Sequence, residues 1–147
     1  MADTGLNWDA AWSYVILDGA AGNWDGDASA DDDIQLSDPI SLDGYAGCIV
    51  GISVEEPDGH APAANSVTVA VKGDAGDAFE NTLALAGAGI GSPQQITISP
   101  VISATVHRLI SIDPRDYDDF EIQLMNESGV NLVTTIRYKR ATVPVAS

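Results

Sequence analysis

The sequence predicts an all-β fold: a single antiparallel β-sandwich of jelly-roll type, with about eight strands. Three observations carry that expectation. Apolar and polar residues alternate with a period of two in several short runs, as a strand with one buried face requires. Clusters of Gly, Pro and Asp separate those runs at regular spacing and supply turn chemistry. No stretch shows the 3.6-residue apolar periodicity of a long amphipathic helix. At 147 residues the chain suits one domain with a sizeable core. We expect an arm over residues 1–11, the sandwich over 12–140 and a tail over 141–147.

Taken in order, Met1 to Asn7 reads as a mobile arm. Trp8 and Trp12 follow, four residues apart, so one helical turn competes there with a strand start. Ser13 to Leu17 reads as a strand ending at Asp18-Gly19, and residues 20–33 as a surface loop of Ala, Gly, Asp and Ser around Trp24. Ile34, Leu36, Ile40 and Leu42 bracket Asp38-Pro39, the signature of an edge strand interrupted by proline. Tyr45 to Val54 is the central-strand candidate. Ala46, Cys48, Val50, Ile52 and Val54 share one face, and Gly47 and Gly51 leave room on the other. Val67, Val69 and Val71 mark a further strand, and Phe79 to Leu85 is open between strand and helix. Ile96 and Ile98 make a short strand closed by Pro100, and Thr105 to Ile112 is rich in β-branched residues. Phe120 to Arg140 reads as a hairpin: two alternating runs joined at Asn126-Glu127-Ser128-Gly129, where Gly129 is free to take positive φ.

Charge narrows the function. The chain has 22 acidic and 6 basic residues, a formal net charge of −16. Residues 1–80 hold 16 acids against the single base Lys72, while residues 81–147 are nearly balanced. Such a chain repels phosphate backbones, which argues against nucleic acid as a partner. No positively charged, apolar leader opens the sequence and no apolar run has membrane-spanning length, so no membrane role is expected. The lone Cys48 lies in an apolar run and reads as a buried small side chain.

Candidate chemical motifs fail on spacing. Asn23 to Asp31 places oxygen ligands at alternate positions, like the start of a calcium loop. Ala28, however, occupies the turn-glycine position and Ile34 the closing-carboxylate position. Gly87 to Gly91 lacks the G-x-G-x-x-G spacing and the β/α context of a nucleotide fingerprint. His60 and His107 have no metal-ligand spacing, and no G-x-S-x-G elbow is present. The acid pairs Glu55-Glu56 and Asp118-Asp119 fall in expected turns, as solvated charge. The chain therefore reads as non-enzymatic, with no cofactor. One or more of Trp8, Trp12 and Trp24 plugs the end of the sandwich, or they anchor a partner, with sugar stacking as a third reading. Trp and Arg are enriched at interface hot spots. Trp8, Trp12, Arg137, Lys139 and Arg140 are accordingly the interface candidates.

The closing segment, FEIQLMNESG over 120–129 and TIRYKRAT over 135–142, resembles the endings of small virion proteins of tailed phages. Those are β-sandwich or jelly-roll decoration (cement) proteins on the outside of the capsid shell. The resemblance implies a structural role, clamping adjacent capsid subunits against internal pressure. It implies the major capsid protein as partner, self-association on the shell as dimer or trimer, and a place on the virion exterior after synthesis in the host cytoplasm. A phage tail or fibre component and a carbohydrate-binding β-sandwich module are the alternatives.

Overall fold

The computed structural model describes residues 5–17, 20–21, 23–24, 33–74 and 95–144. Among them every regular element is a strand. In chain order these are β1 (Asn7–Trp8), β2 (Ser13–Tyr14), β3 (Ile16–Leu17), β4 (Ala20–Ala21), β5 (Asn23–Trp24), β6 (Asp33–Leu36), β7 (Ile40–Ser41), β8 (Gly47–Glu55), β9 (Val67–Asp74), β10 (Gln95–Ile98), β11 (Thr105–Ile112), β12 (Asp119–Asn126) and β13 (Val133–Thr142). Two antiparallel sheets face each other, giving the expected β-sandwich. In the front sheet β8 lies between β13 and β11, and β1, β2 and β5 pair in turn along the other edge of β13. The back sheet runs β10, β9, β12, with β6 and β7 both on the outer side of β12. A small ribbon joins β3 to β4.

Side-chain parity explains the layering. Along β8 the residues alternate between half-buried and buried, so Cys48, Val50, Ile52 and Val54 face the core. Phe120, Ile122 and Leu124 of β12 and Val67, Val69 and Val71 of β9 meet them from the back sheet, with Ile110, Ile112 and Ile136 completing the front. Burying each such side chain contributes about 1.5–3 kcal/mol, about twice the net worth of one backbone hydrogen bond, roughly 0.5–1.5 kcal/mol. The shared core therefore decides which strands face one another.

The hairpin expected over Phe120 to Arg140 is not formed. Its first half, β12, lies in the back sheet, and its second half, β13, lies in the front sheet beside β8. Residues 127–132 arch over the end of the sandwich instead of returning the chain alongside itself. The turn chemistry is nonetheless the one read from the sequence. Asn126 Oδ1 accepts the Ser128 N–H at 2.8 Å, Ser128 Oγ donates to the Val130 carbonyl at 3.0 Å, and Gly129 has φ 75°. Leu132, fully buried at the end of the arch, pins it to the core. Each strand has one apolar face, and both faces are better covered from opposite sheets than side by side in one. The connections β8 to β9, β10 to β11, β11 to β12 and β12 to β13 all cross between sheets, in jelly-roll fashion.

One open alternative is decided and two further expectations are corrected. Trp8 lies in β1 and Trp12 just before β2, not on a helical turn. Residues 20–21 and 23–24, expected in a loop, are strand, and β5 pairs with Thr134 and Thr135. Asn7 and Trp8 of the expected arm pair with Thr142 and Ala141 of the expected tail, at the edge of the front sheet. The proline-interrupted edge strand is as expected, being β6 and β7 on β12. Ser37 bridges the break: its N–H donates to the Ile122 carbonyl at 2.9 Å and its Oγ accepts the Ile122 N–H at 2.8 Å. Phe79 to Leu85, Gly87 to Gly91 and the Asp25 to Asp31 loop lie outside the described residues.

Candidate binding face on the front sheet

Because Cys48, Val50, Ile52 and Val54 point inward, Gly47, Ile49, Gly51 and Ser53 of β8 point outward. Register aligns them with outward residues of both neighbours. Arg137, Gly51 and Leu109 form one row across β13, β8 and β11; Thr135, Ser53 and His107 form the next; Lys139, Ile49 and Ser111 form a third. Tyr14 extends the Arg137 row onto β2, and Trp8 lies opposite Ala141 on β1.

The glycines make this face. A Cβ on Gly47 would meet Leu6 Cδ1 at 2.7 Å and Trp8 Cη2 at 3.2 Å, so both side chains lie across the strand where a larger residue would lift them. Over Gly51, Cη2 and Cζ3 of Trp12 stand 3.5 Å from the same construction point. Lys139 Nζ is 5.2 Å and Arg137 Cζ 5.9 Å from the Trp12 ring centroid, both in cation–π range. Of the interface candidates, Trp8, Trp12, Arg137 and Lys139 thus gather on one face. Arg140 does not. Its parity differs by one, and its guanidinium lies 4.2 Å from the Tyr45 ring centroid and donates from Nη1 to the Ser41 carbonyl at 2.8 Å. It braces the end of the sandwich.

Beside Trp12 the face sinks into a groove of about 490 Å³ lined by Trp12, Gly51, Ser53, His107, Leu109 and Arg137. Leu109 is 69% exposed, more than any other large apolar side chain among the described residues. Ser53 Oγ and His107 Nδ1 are 2.7 Å apart on the groove floor. The pair is fitted to exchange hydrogen bonds with a ligand. A nucleophilic role would also require converging free N–H donors to hold an oxyanion, and the β8 amides around Ser53 stand within ladders to β13 and β11.

A candidate metal cluster lies elsewhere. Ligand atoms of Glu56, Asp58 and His60 fall within 4.8 Å of one another. Glu56, expected as solvated charge, is 1% exposed, and its oxygens are already committed. Oε1 accepts the Gly59 N–H at 2.8 Å and the Ser103 N–H at 2.9 Å, and Oε2 accepts the Asp58 N–H at 2.9 Å. Burial pushes this carboxyl up, but the N–H groups of Ser103, Asp58, His60 and Gly59 together outweigh it and hold it below its ordinary value of 4.5. The carboxylate is a staple between two loops. Cys48 is buried as expected, and burial pushes its thiol up to about 12, far from a reactive thiolate at neutral pH.

No protein-family model matches the sequence, and no curated protein matches it. Among solved structures the chain is similar to one from a study of Bacillus endospore appendages that form disulfide-linked pili, at 8% identity and TM-score 0.42, covering 98% of this chain and 96% of that one. It is similar to the K1 cleaved adhesin domain of Lys-gingipain from Porphyromonas gingivalis W83, at 10% identity and TM-score 0.43, covering 97% and 87%. A third is the carbohydrate-binding module CBM6cm-2 of Cellvibrio mixtus lichenase 5A, in complex with cellotriose, at 12% identity and TM-score 0.37, covering 88% of each chain.

Ser53, His107, Leu109 and Tyr14 were not singled out from the sequence as site residues. Ser53 and His107 are 54 positions apart, and strand register alone brings them together.

Proposed function

We propose that the protein is a non-enzymatic structural component that docks onto a larger protein assembly through the aromatic edge of its front sheet. The resemblance of the closing segment makes the exterior of a tailed-phage capsid the proposed assembly and the major capsid protein the proposed partner. The observation that carries the reading is the exposure of Trp8 at 43% and Tyr14 at 52% on neighbouring short strands beside β13, with Lys139 between them in register. Large aromatic side chains held on a rigid strand edge supply the apolar area of a hot spot at little further entropic cost. A basic neighbour in an otherwise acidic chain favours a partner with acidic surface groups.

The test is reconstitution. Capsid shells assembled without this chain are mixed with purified protein, sedimented and assayed for occupancy. Wild type is expected to saturate the shells. A Trp8→Ala/Tyr14→Ala variant that still melts cooperatively is expected to bind at least about tenfold more weakly. Saturation by that variant, or no binding by wild type, contradicts the proposal.

A further inference from the structure

The groove between Trp12 and Leu109 lies toward β11, on the side of Trp12 away from Trp8 and Tyr14. We propose that it is a separate binding site for a short acidic saccharide, a ligand carrying carboxylates on pyranose rings. The inference goes beyond the docking role and does not depend on it.

Size comes first. About 490 Å³ falls inside the range of small-ligand sites, roughly 300–1,000 Å³, enough for a short run of sugar rings. The lining then matches a pyranose surface by surface. Trp12 and the 69%-exposed Leu109 offer apolar walls to the C–H face of a ring. The Ser53–His107 pair on the floor offers hydroxyl and imidazole groups to the ring's hydroxyls.

Charge selects the acidic class. The chain has six basic residues in 147. Of these, Arg108 and Arg137 line the groove and Lys139 stands 5.2 Å from the Trp12 centroid. Among the described residues no carboxylate forms an ion pair with Arg137 or Lys139, although acids outnumber bases by 22 to 6. A guanidinium matches a carboxylate with two parallel bonds. The acidic body repels a polyanion at a distance, but 0.1 M salt screens that repulsion beyond about 10 Å, and contact with Arg137 is shorter than this. An acidic peptide fits less well. Strand proteins recognise peptides through a free backbone edge; β11 is paired only with β8 among the described residues, but the Trp12, Ser53 and His107 groups of the groove lie on the face of the sheet and not along that edge.

The experiment follows tryptophan fluorescence and titration calorimetry of the full chain. The probes are trimers of galacturonate, glucuronate and mannuronate, their neutral counterparts, and a Glu-rich hexapeptide containing Leu. At least one uronate trimer is expected to bind, with its neutral counterpart at least about tenfold weaker. Arg137→Gln, which keeps much of the side chain's bulk, is expected to abolish that preference while still melting cooperatively, and Trp12→Ala to abolish binding. Trp8→Ala/Tyr14→Ala is expected to bind the trimer as wild type does, so failure here and failure on shells are read separately. Three results overturn the proposal: no uronate trimer binding at millimolar concentration, equal affinity for acidic and neutral trimers, or tighter binding of the hexapeptide.

Discussion

Glu56 ends one long strand and holds the start of another. It follows β8 directly, and its carboxylate ties the 58–60 turn to Ser103, just ahead of β11. Ser103 takes φ 54°, a left-handed conformation that a non-glycine residue adopts at some cost unless neighbours fix it, and the bond to Glu56 is one such tie. Glu56→Gln preserves the shape but replaces one acceptor with an N–H₂ that faces backbone donors. The variant is expected to melt several degrees lower at neutral pH. Because the folded carboxyl titrates below its ordinary 4.5, the unfolded chain takes up the proton first as pH falls. The staple's contribution is therefore complete above about pH 4.5 and is lost as pH drops through the folded value. Paired melts of wild type and variant should show a gap that is widest near neutrality and closes in acid. A gap that is constant with pH would mean that the carboxylate's charge plays no part.

At the level of elements, two glycines on neighbouring elements of the sandwich make opposite demands. Gly73, buried in β9, lies against the ring of Tyr117, so a Cβ there runs into Cγ and Cδ1, atoms too near the tyrosine backbone to swing away. Gly51 has Trp12 and Leu109 at ordinary contact distance, 3.5 Å and beyond. Gly73→Ala is expected to cost about 1–3 kcal/mol by overpacking, and Gly51→Ala close to nothing, as denaturant titration would show. Equal effects would contradict this placement of the aromatic rings. The sequence makes the Gly51 case legible, since alternation along Tyr45 to Val54 sets Gly47 and Gly51 on the face opposite the core. It leaves the Gly73 case hidden, because nothing local ties Tyr117 to β9. The same distinction explains the misread hairpin. Period two tells which face of Phe120 to Met125 and of Val130 to Tyr138 is apolar, but not whether the two faces share a sheet or meet across the core. Arg140, by contrast, was separable from Arg137 and Lys139 by parity alone. The Ser53–His107 pair depends on the β8–β11 register, which no local pattern encodes.

For the molecule as a whole, charge and binding face pull in different directions. A net charge of −16 opposes compaction, while the described cations beside Trp12 form a local exception on the front sheet. Raising sodium chloride from about 0.01 to 0.1 M shortens the screening length from roughly 30 to 10 Å, so the melting temperature is expected to rise over that range. A flat response would mean that the acids are neutralised locally. The central claim is that the protein meets its assembly through the front-sheet edge. The β8-to-β9, β10-to-β11 and β12-to-β13 loops sit at the other end, where Val101 and Ile102 are also exposed, at 48% and 47%. Hydroxyl-radical footprinting of the protein free and bound to capsid shells separates these ends directly. The expected result is loss of reactivity at Trp8 and Tyr14 on binding, with Val101 and Ile102 unchanged; protection of Val101 and Ile102 with Trp8 and Tyr14 still reactive would contradict it.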